Sequence, residues 1–201
     1  MGLVLCLVVA TTSANPYPRY PGSPPSPADV FKQGIEQLTA FLASRDKRNA
    51  PPLEVFVDQT IAPFFDFSYM TKWTAGAQAR HMGPQDAAAM QKKLRRLFLA
   101  AMVKKLASYN HGHVQFLRPV GDPRSGEVTL RLLAYQQGNR FPQHLAFRMY
   151  RSNKGWKVFD VTANGQSVLA FYRTQFALEA RRLRQRPAYG PFPGRRYGYP
   201  R

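Results

Sequence analysis

The chain of 201 residues contains one cysteine, Cys6, within its first ten positions. That scarcity excludes an intrachain disulfide, a cysteine-based zinc site and a buried thiol nucleophile from the folded part. Acidic residues are also few, 11 Asp and Glu against 29 Lys and Arg, for a formal charge of +18. A chain so short of negative charge is drawn to phosphate-bearing partners, either nucleic acid or anionic lipid. Residues 181–201 carry seven of the arginines and no acid, so the tail exaggerates the basicity. Only four histidines occur, and the pair His111 and His113 has no acidic cluster near it, which speaks for solvated turn histidines and against a metal site. There is no G-x-S-x-G, H-E-x-x-H or phosphate-cradling glycine loop. No apolar run approaches the ~20 residues that span a bilayer.

Material for a core, by contrast, is plentiful. Hydrophobic residues make up 44% of the chain, charged residues 20%, and there are 14 Phe, 10 Tyr and 2 Trp, which rules out wholesale disorder. The length suits one domain with tails. Gly2 to Ala10 is an unbroken apolar run followed by small residues up to Ala14, the pattern of an export leader, so residues 1–14 are read as a signal peptide cleaved after Ala14. Residues 15–27 hold six prolines in thirteen positions and read as an extended linker. The foldable unit is expected over 28–185, with a disordered basic, aromatic tail at 186–201.

Within that unit a helical period runs from Asp29, the expected N-cap, to Ser44, with Val30, Phe31, Ile35, Leu38, Phe41 and Leu42 on one face. A second helical stretch begins near Leu53, interrupted at Pro63, and Asp66 is placed to cap a third short helix. Pro84 to Tyr109 gives the longest helix, its apolar stripe opposed by Lys92, Lys93, Arg95, Arg96, Lys104 and Lys105. After Gly112 the period falls to two, which predicts four antiparallel strands over 113–120, 127–136, 143–151 and 156–163. A final helix is expected from Gly165 until Pro187 ends it. Helices, a four-stranded antiparallel sheet and one closing helix define an α+β fold.

Apolar residues occur on both faces of several predicted strands, so the sheet must be covered on both sides or curl around something. A filled core accounts for this pattern; the alternative is a curved sheet enclosing an apolar cavity, which periodicity alone does not reveal.

The stretch GWKVFDVTANGQSVLAFYRTQF, Gly155 to Phe176, resembles the signature of the MlaC or toluene-tolerance family, in which a W-x-V-Y-D-V strand runs through a turn into a helix bearing N-Y-R-x-x-F. Trp156, Val158, Asp160, Val161, Gly165, Ser167, Tyr172, Arg173 and Phe176 match it, and Ala62 to Gly76 is similar to the family's P-x-x-D-F segment. Phe159, Asn164 and Phe171 depart from it, and the tail has no counterpart. The resemblance implies a cone of helices on a curved sheet, like nuclear transport factor two. It implies a periplasmic phospholipid shuttle, without cofactor, between an outer-membrane lipoprotein complex and an inner-membrane ABC transporter that together maintain outer-membrane asymmetry. A hopanoid or other apolar-ligand carrier of the same family is the alternative.

A soluble carrier must replace the bilayer around an acyl chain, and at ~0.8 kcal/mol per methylene sixteen carbons represent on the order of 12 kcal/mol. An apolar cavity is therefore expected, with its phosphate left at the mouth where basic residues steer anionic lipid. The expected lining from the helices before the sheet is Phe56, Phe64, Tyr69, Leu94, Phe98 and Met102. From the sheet and the last helix it is Leu132, Phe147, Phe159, Val161, Val168, Phe171 and Tyr172. Asp66 is read as a helix cap, Asp160 as a turn or partner-facing group, and Arg173 as a partner for one of them. The basic helix and the Arg/Tyr tail also fit a nucleic-acid binder, but a leader for export argues against that partner, and a monomer is expected. An enzyme would need an acid–base pair at telling spacing, which the sequence lacks.

Overall fold

The computed structural model describes residues 24–44, 49–108 and 112–185. The expected leader, most of the Pro-rich linker, His111 and the tail from 186 lie outside the described residues.

Helix α1, Pro27–Ser44, starts with a reciprocal cap. The Ser26 backbone N–H and hydroxyl both donate to Asp29 Oδ2, at 3.0 and 2.7 Å, and the Asp29 N–H donates back to Ser26 Oγ at 3.3 Å. Ser26 is thus the N-cap and Asp29 the answering carboxylate three residues on, with Pro27 in the first turn; the sequence reading put the cap at Asp29 itself. Helix α2, Leu53–Phe56, widens into a π turn over Val57–Ile61 and then tightens to a 3₁₀ turn over Ala62–Phe64. Pro63 has no N–H to offer a regular ladder, so the helix changes pitch there. Helix α3, Phe67–Ala75, is capped by Asp66, which accepts from the Tyr69 N–H at 2.9 Å, as the sequence implied. Helix α4, Pro84–Ala107, buries Leu94, Phe98 and Leu99.

Strands β1 (Gly112–Val120), β2 (Glu127–Gln136), β3 (Gln143–Ser152) and β4 (Gly155–Ala163) form an antiparallel meander. A fifth strand, β5 (Gln166–Ser167), extends the sheet by two residues. The β4–β5 connection is Asn164-Gly165, both at positive φ (48° and 84°), the conformation of a tight primed hairpin turn. Gly165 therefore turns a hairpin, and helix α5 begins only at Val168, running to Gln185.

Two irregularities interrupt the ladders. Between Leu117 and Val120 the β1–β2 register shifts, placing Pro119 on an edge strand where its missing donor costs little. Between Arg148 and Met149 the β3–β4 register shifts so that Arg148 faces Asp160 and Met149 faces Val158, leaving Phe159 as an extra residue on β4. That bulge explains why Val158, Phe159 and Asp160 are all buried in succession.

Both faces of β3 are covered. Phe147 meets Phe31 of α1, with ring centroids 4.7 Å apart. Tyr150, three residues on and therefore on the opposite face, stacks on Tyr69 of α3 at 4.3 Å. The core is one continuous cluster in which Val57, Met70, Leu94, Leu132, Met149, Phe159 and Leu169 are at most 1% exposed.

Candidate functional site

The side chains expected to line a cavity come together, but as packed neighbours. Leu94, Phe98, Leu132, Phe159 and Tyr172 belong to the buried cluster, and Phe56, Phe64, Tyr69, Met102, Phe147, Val161 and Val168 are half-buried against it. Phe171 does not join them: it is 58% exposed, with its ring edge-on to Tyr172. The helical period explains the correction, since Leu169, Tyr172 and Phe176 fall at i, i+3 and i+7 on the inward stripe while Phe171 lies some 200° from Leu169.

Open space lies beside this cluster, in a groove of about 700 Å³ between the start of α1, the Pro63–Phe64 turn and the β3–β4 hairpin. Its apolar lining is Val30, Phe64, Trp156 and prolines, and its polar lining includes Arg124, Arg151, Lys154 and Lys157 but no carboxylate. Val30, Phe64 and Trp156 also pack into the core, so groove and core are continuous through those three side chains. Trp156 is buried while Arg124, Arg151 and Lys154 are exposed, which sets the indole deeper than those three cations. Of the sequence candidates only Phe64 lines this groove. The available signal was the hairpin itself, where Arg151, Lys154 and Lys157 flank Trp156 with no acid between them.

Asp66 and Asp160 both turn inward to structural partners. Asp66 accepts a short hydrogen bond from the Tyr150 hydroxyl in addition to its capping bond. Burial, and then the bond to Asp66 and its negative charge, push the Tyr150 phenol well above its ordinary range. Burial likewise raises Tyr172. Asp160 is 2% exposed, which corrects its reading as a turn or partner-facing group. Its carboxylate accepts from the Ser167 hydroxyl at 2.7 Å and the Leu169 N–H at 3.2 Å, at the start of α5, with Arg148 at 4.0 Å. Negative charge at a helix N-terminus is favoured there. Arg173, expected beside one of these acids, lies instead over the Trp73 ring at 5.6 Å, close to Gly76 at the end of α3.

The basic face of α4 is partly spent on internal ties: Lys93 pairs with Glu179 of α5, and Arg95 pairs with Asp58 at 2.7 Å while lying over Phe67. His113 stacks on Tyr135 at 4.5 Å, and the described residues hold no cluster of potential metal ligands. None of the described helices is long and apolar enough to cross a membrane.

No curated protein sequence matches the chain. Among solved structures, a phospholipid-binding protein from Ralstonia solanacearum, in complex with a phospholipid, superposes with a TM-score of 0.68. It is 23% identical and covers 78% of this chain and 89% of its own, which establishes a shared α+β fold. The family model described as MlaC protein matches residues 32–184, from the first turns of α1 to the end of α5. That span takes in every described strand and most or all of every described helix, and the chain accordingly belongs to the MlaC family.

Proposed function

We propose that this protein is a phospholipid carrier of the periplasm, passing lipid between an outer-membrane lipoprotein complex and an inner-membrane ABC transporter to maintain outer-membrane asymmetry. The family match over residues 32–184 carries this reading. The phospholipid held by the Ralstonia solanacearum protein of the same fold supports it. So does the groove, whose volume of about 700 Å³ lies within the ~300–1,000 Å³ typical of small-molecule sites.

The groove is the mouth in this reading, and Val30, Phe64 and Trp156 lead an acyl chain from it toward the core. Room for the chain opens between α1 and the sheet, where Phe31 now sits against Phe116 and Phe147. The headgroup stays at the surface, because burying a phosphate costs several kcal/mol that apolar walls do not return. Binding on the order of 12 kcal/mol for a sixteen-carbon chain roughly balances what the chain leaves behind in a bilayer, so direction comes from the partner proteins. The protein acts as a carrier and not as an enzyme.

The test is transfer of a fluorescent phospholipid from donor to acceptor vesicles. The full chain is expected to accelerate transfer severalfold over spontaneous exchange; transfer at the spontaneous rate contradicts the proposal.

A further inference from the structure

Resting on the carrier reading, the geometry points to a preference: the groove selects phospholipids with a net negative headgroup over zwitterionic ones. Four cationic side chains line it, Arg124, Arg151, Lys154 and Lys157, and no carboxylate does. A phosphodiester alone is satisfied by such a setting, and a second hydroxyl-bearing group adds no conflict. The ammonium of an ethanolamine headgroup, by contrast, finds like charges and no acceptor carboxylate.

The acids next to the lining in sequence, Asp29 and Asp122, are not part of it. Asp29 is held by the Ser26 N–H and hydroxyl, and Asp122 accepts the Arg124 backbone N–H at 2.9 Å. The cations, on the other hand, keep their charge free for a ligand. Among the described residues Arg124, Arg151 and Lys154 make no ion pair, and Lys157 donates only to the Pro63 carbonyl, at 2.7 Å, which fixes its stem along the groove. With Arg124, Arg151 and Lys154 exposed and Trp156 buried in the same groove, the positive charge stands where a headgroup lies when its tail points to the core.

Arg151 and Lys154 are exposed, so the Arg151→Gln/Lys154→Gln double variant removes two groove charges without touching the core. The full chain and this variant are each incubated with vesicles containing equal phosphatidylglycerol and phosphatidylethanolamine, reisolated, extracted and analysed by mass spectrometry. Using one mixed vesicle makes the attraction of the +18 chain to the surface the same for both lipids. Bound phosphatidylglycerol is expected at about fivefold over phosphatidylethanolamine in the parent, falling to near parity in the variant, as befits the loss of two partly screened contacts. Parity in the parent overturns the preference while leaving lipid carriage standing. Unchanged enrichment in the variant overturns the groove as its origin, and an empty extract from both overturns the carrier reading beneath it.

Discussion

Asp160 is a charged side chain made compatible with the interior by what surrounds it: a hydroxyl, a helix N-terminal amide and an arginine at the edge of ion-pair distance. Replacing it with alanine strands the Ser167 hydroxyl and the Leu169 N–H, so Asp160→Ala is expected to lower stability by about 2–4 kcal/mol, read as a reduced urea midpoint with an unchanged slope. Tyr150 gives a pH signature. Its proton is held more tightly in the folded chain, first by burial and then by Asp66, so the folded state is favoured while the phenol stays neutral. That contribution is complete below the ordinary tyrosine value of about 10 and is lost as pH rises above it. The melting temperature should therefore fall as pH rises above about 10, and Tyr150→Phe should melt lower at pH 8 yet fall less steeply, Tyr172 accounting for part of what remains. The matching of Asp66 to a cap was legible because its partner amide is three residues away. Asp160's role was not, because Arg148 and the start of α5 reach it only through the sheet and the hairpin.

Among the elements, α1 meets the sheet through Phe31, set between Phe116 and Phe147, with Phe41 stacked on Phe56 farther along at 3.9 Å. Phe31→Ala is expected to cost about 3 kcal/mol. In hydrogen exchange it should deprotect the amides of α1 far more than those of α4, which is tied to α5 by Lys93 and to the π turn at Asp58 by Arg95. Uniform deprotection would show that α1 does not open separately from the rest. The long elements could be read directly: the 24-residue helix α4 from its stripe, and the four main strands from alternation, each to within a residue or two at its ends. What alternation lost are the places where the backbone departs from its period. The two-residue β5 is too short to alternate, and the Phe159 bulge moves one residue out of step and hides a third consecutive buried position. Phe171 stands in the expected lining, although its helical phase points outward.

For the whole molecule, positive charge and apolar interior adjoin at the groove beside the β3–β4 hairpin, where four cations stand with Val30, Phe64 and Trp156. The motif around Trp156 marked the family and also one wall of that groove, but a groove is built by segments far apart in sequence: the prolines before α1, the turn at Pro63 and the hairpin. No single-chain pattern brings those together, which is why the interior candidates were legible as a cluster and the opening was not. Carriage of phospholipid is tested most directly by purifying the full chain from cells under native conditions, extracting it with organic solvent and quantifying phospholipid against protein by mass spectrometry. Near-stoichiometric phospholipid, about one molecule per chain, is the expected result; a folded, lipid-free preparation that also takes up none from vesicles would contradict it.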